Sequence, residues 1–286
     1  MGRQTWGEGI APEAGATGGR LEEVFRRARA QDRAALVMYL CGGDPSLEAT
    51  PRLVRAAAEA GADIIELGMP FSDPTADGPA IQRASERALR SGATLAGVLD
   101  AVRTLRGEGC DVPLVLFGYY NPILAYGEEA LVRDAAAAGV DGLLVVDLPP
   151  EEAAPLRDPA RAAGLDLIPL VAPTTGTERA EAVAREATGF VYAVSMTGVT
   201  GSAAGDLAAA GARARALADA AGRPVAVGFG VSSPDDARAV AAHADGVVVG
   251  SALVRRIEAA GADLDAAEAS VRAFVAALAA GCRRGG

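Results

Sequence analysis

The chain contains no lysine. All 27 of its basic side chains are arginine, and it carries one histidine (His243), three cysteines (Cys41, Cys110, Cys282) and only 4% aromatic residues. Each scarcity removes a class of chemistry. Without a lysine amine, this chain alone cannot build a Schiff-base aldolase, a lysine-anchored pyridoxal phosphate site or a P-loop. One histidine leaves no His-rich metal site, and a Ser-His-Asp or Cys-His site would have to use His243 itself. No metal is therefore expected. Three widely spaced cysteines form neither a disulfide framework nor a CxxC pair, which predicts a reducing, cytoplasmic setting. No apolar run reaches the roughly 18 residues of a membrane span, and the N-terminus lacks a signal-peptide core. The acid/base groups of an enzyme built this way are expected to be carboxyls or phenols.

What is present is a large apolar complement. Half of the 286 residues are hydrophobic, with alanine dominant, and the formal net charge is −10. The length allows one large domain or two small ones, since α/β barrels commonly run to about 250 residues. The negative charge argues against nucleic acid or an anionic membrane as partner. Residues 1–19 hold six glycines and no apolar period, and read as a flexible tail. The catalytic domain is expected over 20–281, with 282–286 as a C-terminal tail.

After an amphipathic helix at Leu21–Ala30, apolar runs alternate with helical stretches. The runs are Leu36–Leu40, Ile64–Leu67, Leu114–Phe117, Gly142–Val146, Leu167–Leu170, Phe190–Val194, Val225–Gly228 and Gly246–Val249. They are continuous rather than alternating, as parallel strands covered on both faces should be. Ser46 precedes a helix, and Gly61, Gly139, Gly164 and Gly222 follow helix ends. Eight such units predict an α/β fold: a single (β/α)8 TIM barrel with an extra N-terminal helix and extra helices after strands 2 and 8. A doubly wound sheet shows the same alternation; the count of eight favours the barrel. The irregular loop Met69–Pro79 follows the second strand, and loops after barrel strands fall on the face that carries barrel active sites.

Glu66 interrupts an apolar strand at its C-terminal end. It points either into the barrel mouth, where burial would raise its pKa toward neutrality, or into the helix layer, paired with an arginine. Asp77 lies eleven residues on, in a loop with Asp73 and three prolines. Prolines can hold its carboxylate at a fixed distance from Glu66, although an Asp-Gly pair more commonly caps a turn. Glycine-rich loops follow the last three strands: Ser195–Ser202, Gly228–Ser232 and Val249–Ala252. Consecutive amides at a helix start attract phosphate without a basic side chain, and the loops after strands seven and eight are the usual phosphate site of a barrel. Tyr119 can line a pocket or close a loop, and Tyr192 can face the lumen or pack in the core. Asp147 reads as a turn or cap. His243, Arg26-Arg27 and Arg255-Arg256 read as structural or solvated.

The stretch from Asp63 through Glu66-Leu67-Gly68-Met69-Pro70-Phe71-Ser72-Asp73-Pro74 and Ala76-Asp77-Gly78-Pro79 to Gln82 closely resembles the signature of the tryptophan synthase alpha subunit family. Agreement continues at Gly43-Asp44-Pro45, Tyr119–Pro122, Asp147-Leu148-Pro149, Gly198–Gly201, Gly228–Gly230 and Gly250–Ala252, over about residues 20 to 281. Cys41-Gly42 and the long N-terminal tail depart from the family pattern. The resemblance implies a lyase that cleaves indole-3-glycerol phosphate to indole and glyceraldehyde 3-phosphate. It implies Glu66 as acid/base, Asp77 as acceptor of the indole N–H, and Thr200, Gly201, Gly230, Gly250 and Ser251 on the phosphate loops. It further implies a pocket lined by Tyr39, Phe117, Leu144, Tyr192 and Phe229, and Tyr119 is expected among the substrate-binding residues with them. No cofactor is expected on this chain; pyridoxal phosphate is expected on a separate beta subunit in an alpha2beta2 complex. The alternatives are a stand-alone lyase of the same ancestry and a silent barrel kept as a binding or activating subunit.

Overall fold

The computed structural model describes residues 19–194, 204–228 and 230–284. Nine strand segments form one parallel sheet: β1 (Ala35–Cys41), β2 (Ile64–Gly68), β3 (Leu114–Gly118), β4 (Gly142–Val145), β5 (Asp166–Leu167), β6 (Leu170–Val171), β7 (Val191–Val194), β8 (Val225–Gly228) and β9 (Gly246–Val249). Their order is β5-β4-β3-β2-β1-β9-β8-β7-β6. The two outermost segments are the halves of one stave, so the sheet curls into an eight-stave barrel. The sequence predicts one strand at Leu167–Leu170, and it is broken in the middle. Ile168 N donates to Leu143 O at 2.9 Å on one side, and Pro169 O accepts from Tyr192 N at 3.0 Å on the other. Pro169 has no N–H, so the ladder cannot run through it unbroken.

The connecting helices are α1 (Arg20–Ala30), α2 (Ala49–Glu59), α3 (Pro79–Arg90), α4 (Leu95–Gly107), α5 (Tyr120–Tyr126), α6 (Glu128–Ala138), α7 (Ala154–Ala162), α8 (Thr177–Glu186), α9 (Ala204–Ala221), α10 (Pro234–Ala241), α11 (Ser251–Ala260) and α12 (Leu264–Gly281). The extra helices after the second and eighth staves are present. The short α5 is an element that the apolar alternation does not predict; it begins at Tyr120, within the stretch expected to line a pocket or close a loop. No helix among the described residues is long and apolar enough to cross a membrane.

Strand parity divides the core in two. Leu36, Met38, Leu40, Ile65 and Leu67 face outward and pack under the helices. Val37, Tyr39, Ile64, Val115, Phe117, Leu144, Phe190 and Tyr192 form the inner cluster. Side chains alternate faces along a strand, so Glu66, two residues from Ile64, points into the lumen. The amphipathic face of α1 closes the opposite end of that lumen, with Leu21, Val24, Phe25 and Ala28 buried in the inner cluster. Phe25 meets Phe190 there at 5.2 Å between ring centroids.

Three aspartates staple the N-terminal end of the barrel. Each sits just before a strand and reaches the backbone of its neighbour: Asp63 accepts from Leu36 N at 2.8 Å, Asp141 from Leu114 N at 2.9 Å and Asp245 from Val225 N at 3.1 Å. Arg33, Arg106 and Arg29 neutralise them in turn. The C-terminal residues join this end. Cys282 is fully buried, its O accepts from Ala34 N at 2.9 Å, and the Arg284 guanidinium donates to the carbonyls of Ala241 and Ala244 at 2.6 Å each. The chain thus stays packed to Arg284, past the Gly281 end expected for the domain. The expected N-terminal tail lies outside the described residues, apart from Gly19.

Candidate active site

The C-terminal ends of the staves form the mouth. Glu66 lies between Tyr39 and Val115 in the strand register. It is 1% exposed, and its Oε1 is the one buried side-chain oxygen among the described residues without a hydrogen-bond partner. Burial pushes its pKa up to about 8. Of the two directions open to this side chain, the lumen is therefore the one taken, and among the described residues no arginine pairs with it.

Aromatic rings surround it. Tyr39 packs edge-on against Phe117, with centroids 5.2 Å apart, and Phe117 lies 6.4 Å from Tyr192. Leu144 joins the same cluster. Burial is the main cause that raises both the Tyr39 and Tyr192 phenols well above their ordinary range, with Glu66 and Asp77 adding negative charge nearby.

Asp77 reaches the mouth on the loop between β2 and α3. The loop is pinned from the end of β3: the Tyr119 hydroxyl accepts from Ala76 N at 2.9 Å and donates to Asp77 Oδ2 at 3.1 Å. Phe71 lies against the Tyr119 ring at 5.4 Å. Gly78 caps α3 and Pro79 opens it, in the position where a missing N–H costs nothing. Burial raises Asp77 to about 6, and the hydrogen bond from Tyr119 opposes that rise. The mouth therefore holds two carboxyls with separated pKa values, the condition for one to work as acid while the other is ionised. Asp147 is a cap, as expected: its Oδ1 accepts from Tyr120 N at 2.8 Å at the start of α5.

On the other side of the mouth, Gly250 caps α11 and Ser251 opens it. The helix start offers unpaired amides and a positive dipole end. Gly250 lies beside Tyr39; a Cβ there would stand 3.3 Å from that of Tyr39. Gly230 adopts φ +88° in the preceding loop, a conformation open to glycine. Thr200, Gly201 and Phe229 lie outside the described residues. His243 is exposed at the far end of the barrel, as are Arg26 and Arg27 on α1.

One feature of the mouth has no local signal in the sequence. Asp44 after β1, Arg87 on α3 and Glu258 on α11 form a chain of ion pairs. The partners are 43 and 171 residues apart, far beyond the reach of any helical or strand period.

A parallel eight-stave barrel with two carboxyls of raised pKa at its C-terminal mouth defines a TIM-barrel enzyme. The chain belongs to the tryptophan synthase alpha chain family, whose model matches residues 25–283. This is a lyase family of tryptophan biosynthesis. The tryptophan synthase alpha chain of Geobacter sulfurreducens is 54% identical over 239 residues, covering 84% of this chain and 90% of the relative. That of Halorhodospira halophila is 55% identical over 249 residues, covering 87% and 91%. Among solved structures, tryptophan synthase of Mycobacterium tuberculosis superposes with a TM-score of 0.84 at 42% identity, covering 94% of this chain and all of the other. The alpha subunit of Legionella pneumophila gives 0.84 at 37% identity, covering 92% and 98%.

Proposed function

We propose that this chain cleaves indole-3-glycerol phosphate to indole and glyceraldehyde 3-phosphate through Glu66 and Asp77, with no cofactor of its own. The observation that carries the reading is the buried, unpartnered Oε1 of Glu66 in an aromatic lumen. A carboxyl with a pKa of about 8 is present in both forms near neutrality. In the protonated form it can give its proton to indole C3. In the ionised form it can take the proton of the glycerol hydroxyl. The C–C bond then breaks, its electron pair restores the aromatic indole, and the hydroxyl carbon becomes the aldehyde. No proton is gained or lost overall.

Protonation at C3 puts positive charge on the ring nitrogen, so the substrate supplies its own electron sink. Asp77 would accept the hydrogen bond from that N–H and stabilise the developing charge in a site of low dielectric. Tyr39, Phe117, Leu144, Tyr192 and Phe229 would hold the indole, with Tyr119 fixing Asp77. Gly230, Gly250, Ser251, Thr200 and Gly201 would hold the phosphate by backbone amides and hydroxyls, which suits a chain without lysine. The partner would be a beta subunit in an alpha2beta2 complex, carrying pyridoxal phosphate and consuming the indole, in the cytoplasm.

The test is indole release by the purified chain, alone and after addition of the beta subunit. Release that rises strongly on mixing supports the subunit reading. Full release without the partner supports a stand-alone lyase. No release in either case leaves a silent barrel. Glu66→Gln is expected to abolish release while the fold persists.

A further inference from the structure

Asp44 sits in the loop after β1 with 3% of its surface exposed. A buried carboxylate is costly unless it is paired. Arg87 of α3 meets it with two parallel bonds, Nε to Oδ1 at 2.8 Å and Nη2 to Oδ2 at 2.7 Å. The remaining corner of the same guanidinium, Nη1, donates to Glu258 Oε1 of α11 at 2.8 Å. Arg83, one turn earlier on α3, grips both oxygens of Glu258 at 2.7 and 2.8 Å. A planar fork can serve both carboxylates at once; a lysine ammonium offers no such geometry.

The three elements tied by Arg87 all lead to the mouth. The fold of α3 begins at Pro79, two residues past Asp77. The fold of α11 begins at Ser251, behind Gly250. Glu258 is about two turns along α11 from that start, roughly 10 Å at 1.5 Å per residue. Both helices are stiff over such lengths. Locking their flanks together therefore locks the groups at their starts: the Asp77 loop on one side and the Gly250–Ser251 amides on the other.

We propose that Arg87 is a positioning residue that sets the spacing between the indole end and the phosphate end of the site, and so selects the substrate by its length. This rests on the function proposed above. A ligand that fills one end does not feel the spacing. A ligand that spans both ends does.

The experiment uses the full chain and two variants, Arg87→Met and Glu258→Ala. Arg87→Met leaves Asp44 buried without its partner and can cost folding stability. Glu258→Ala keeps the Asp44–Arg87 pair and removes a side chain that is 29% exposed, so it cuts the ion pairs between α3 and α11 and leaves Asp44 paired. Three quantities are measured: kcat/KM for indole-3-glycerol phosphate, and the separate dissociation constants of indole and of glyceraldehyde 3-phosphate. Glu258→Ala is expected to lower kcat/KM about tenfold, as misplacement of a bound substrate does, while each single-end ligand binds within about twofold of the parent. Unchanged kcat/KM would overturn the proposal. So would an equal loss for all three ligands, which would mark a merely structural contact. A parent chain that releases no indole defeats the proposed function and this inference together. An active parent with an indistinguishable Glu258→Ala variant defeats the inference alone.

Discussion

The hydroxyl of Tyr39 rests on Gly68: a Cβ at Gly68 would stand 2.3 Å from the hydroxyl oxygen and 2.8 Å from Cζ. Two non-bonded atoms cannot approach that closely, so Gly68→Ala must displace the ring. Tyr39 is packed against Phe117 and against Gly250, and it pairs with Glu66 in the strand register. The variant should fold, at an overpacking cost of about 1–3 kcal/mol, and lose kcat/KM by roughly tenfold or more through misplaced substrate. A double-mutant cycle checks the cause. Tyr39→Phe removes the closest atom, so the pair Gly68→Ala with Tyr39→Phe should recover part of the loss; strictly additive losses would rule out the clash.

Glu66 makes a prediction about stability as well as catalysis. Its folded value of about 8 lies above the ordinary 4.5. Between these values the folded chain keeps a proton that the unfolded chain has released. Its contribution is therefore full below about 4.5 and is lost as pH rises toward 8, by up to about 1.4 kcal/mol per pH unit. Glu66→Gln removes that term. Denaturant unfolding at pH 5 and pH 8.5 should show the variant gaining on the parent by a few kcal/mol at the higher pH. An identical pH dependence in both chains would mean that the carboxyl is not buried in solution.

The rate should carry two limbs. Asp77 must be ionised and rises only to about 6, so kcat/KM should increase as pH climbs through that value. It should fall above about 8 as Glu66 loses the proton it donates. Asp77→Asn should lower kcat/KM on the order of a hundredfold and abolish the acidic limb. Tyr119→Phe is the finer test. The Tyr119 hydroxyl lowers the Asp77 pKa by donating to it, so its removal should move the acidic limb to higher pH. A limb that stays in place would show that Tyr119 does not hold Asp77 in the working enzyme.

Much of this was legible one residue at a time. Continuous apolar runs report parallel strands because both faces are covered, and the eight runs became eight staves. Glu66 stood out because a carboxylate inside such a run needs a reason; parity with Ile64 then decides that it faces the lumen. What stayed hidden depends on which residues meet across elements. The face of α1 was readable, but not that it would plug the barrel against Phe190. The pairing of Tyr119 with Asp77 spans 42 residues, and the Asp44–Arg87–Glu258 chain joins three separate units. Periodicity records how each element is buried, not against what. The run Leu167–Leu170 predicts a single strand from its apolar residues, and the missing N–H of Pro169 splits it into β5 and β6.

The far end of the barrel should behave in the opposite way to the mouth. Asp63 accepts from Leu36 N at 2.8 Å and from both terminal nitrogens of Arg33, at 2.5 and 2.8 Å. It is 8% exposed. Asp63→Ala would leave a strand N–H without its acceptor and a largely buried guanidinium without its counter-charge. Each of these is costly, and together they should destabilise the fold by about 3–5 kcal/mol. Yet Asp63 precedes β2 while Glu66 lies three residues on, inside the strand and facing the lumen, and the hydrogen bonds of the Asp63 carboxylate go to Arg33 and Leu36 N, away from the mouth. The variant that remains folded at low temperature should therefore keep kcat/KM within about twofold of the parent, since this fold divides its roles between a stability face and an active face. A chain that loses activity in proportion to nothing measurable in its unfolding curve would show that the staple also shapes the mouth.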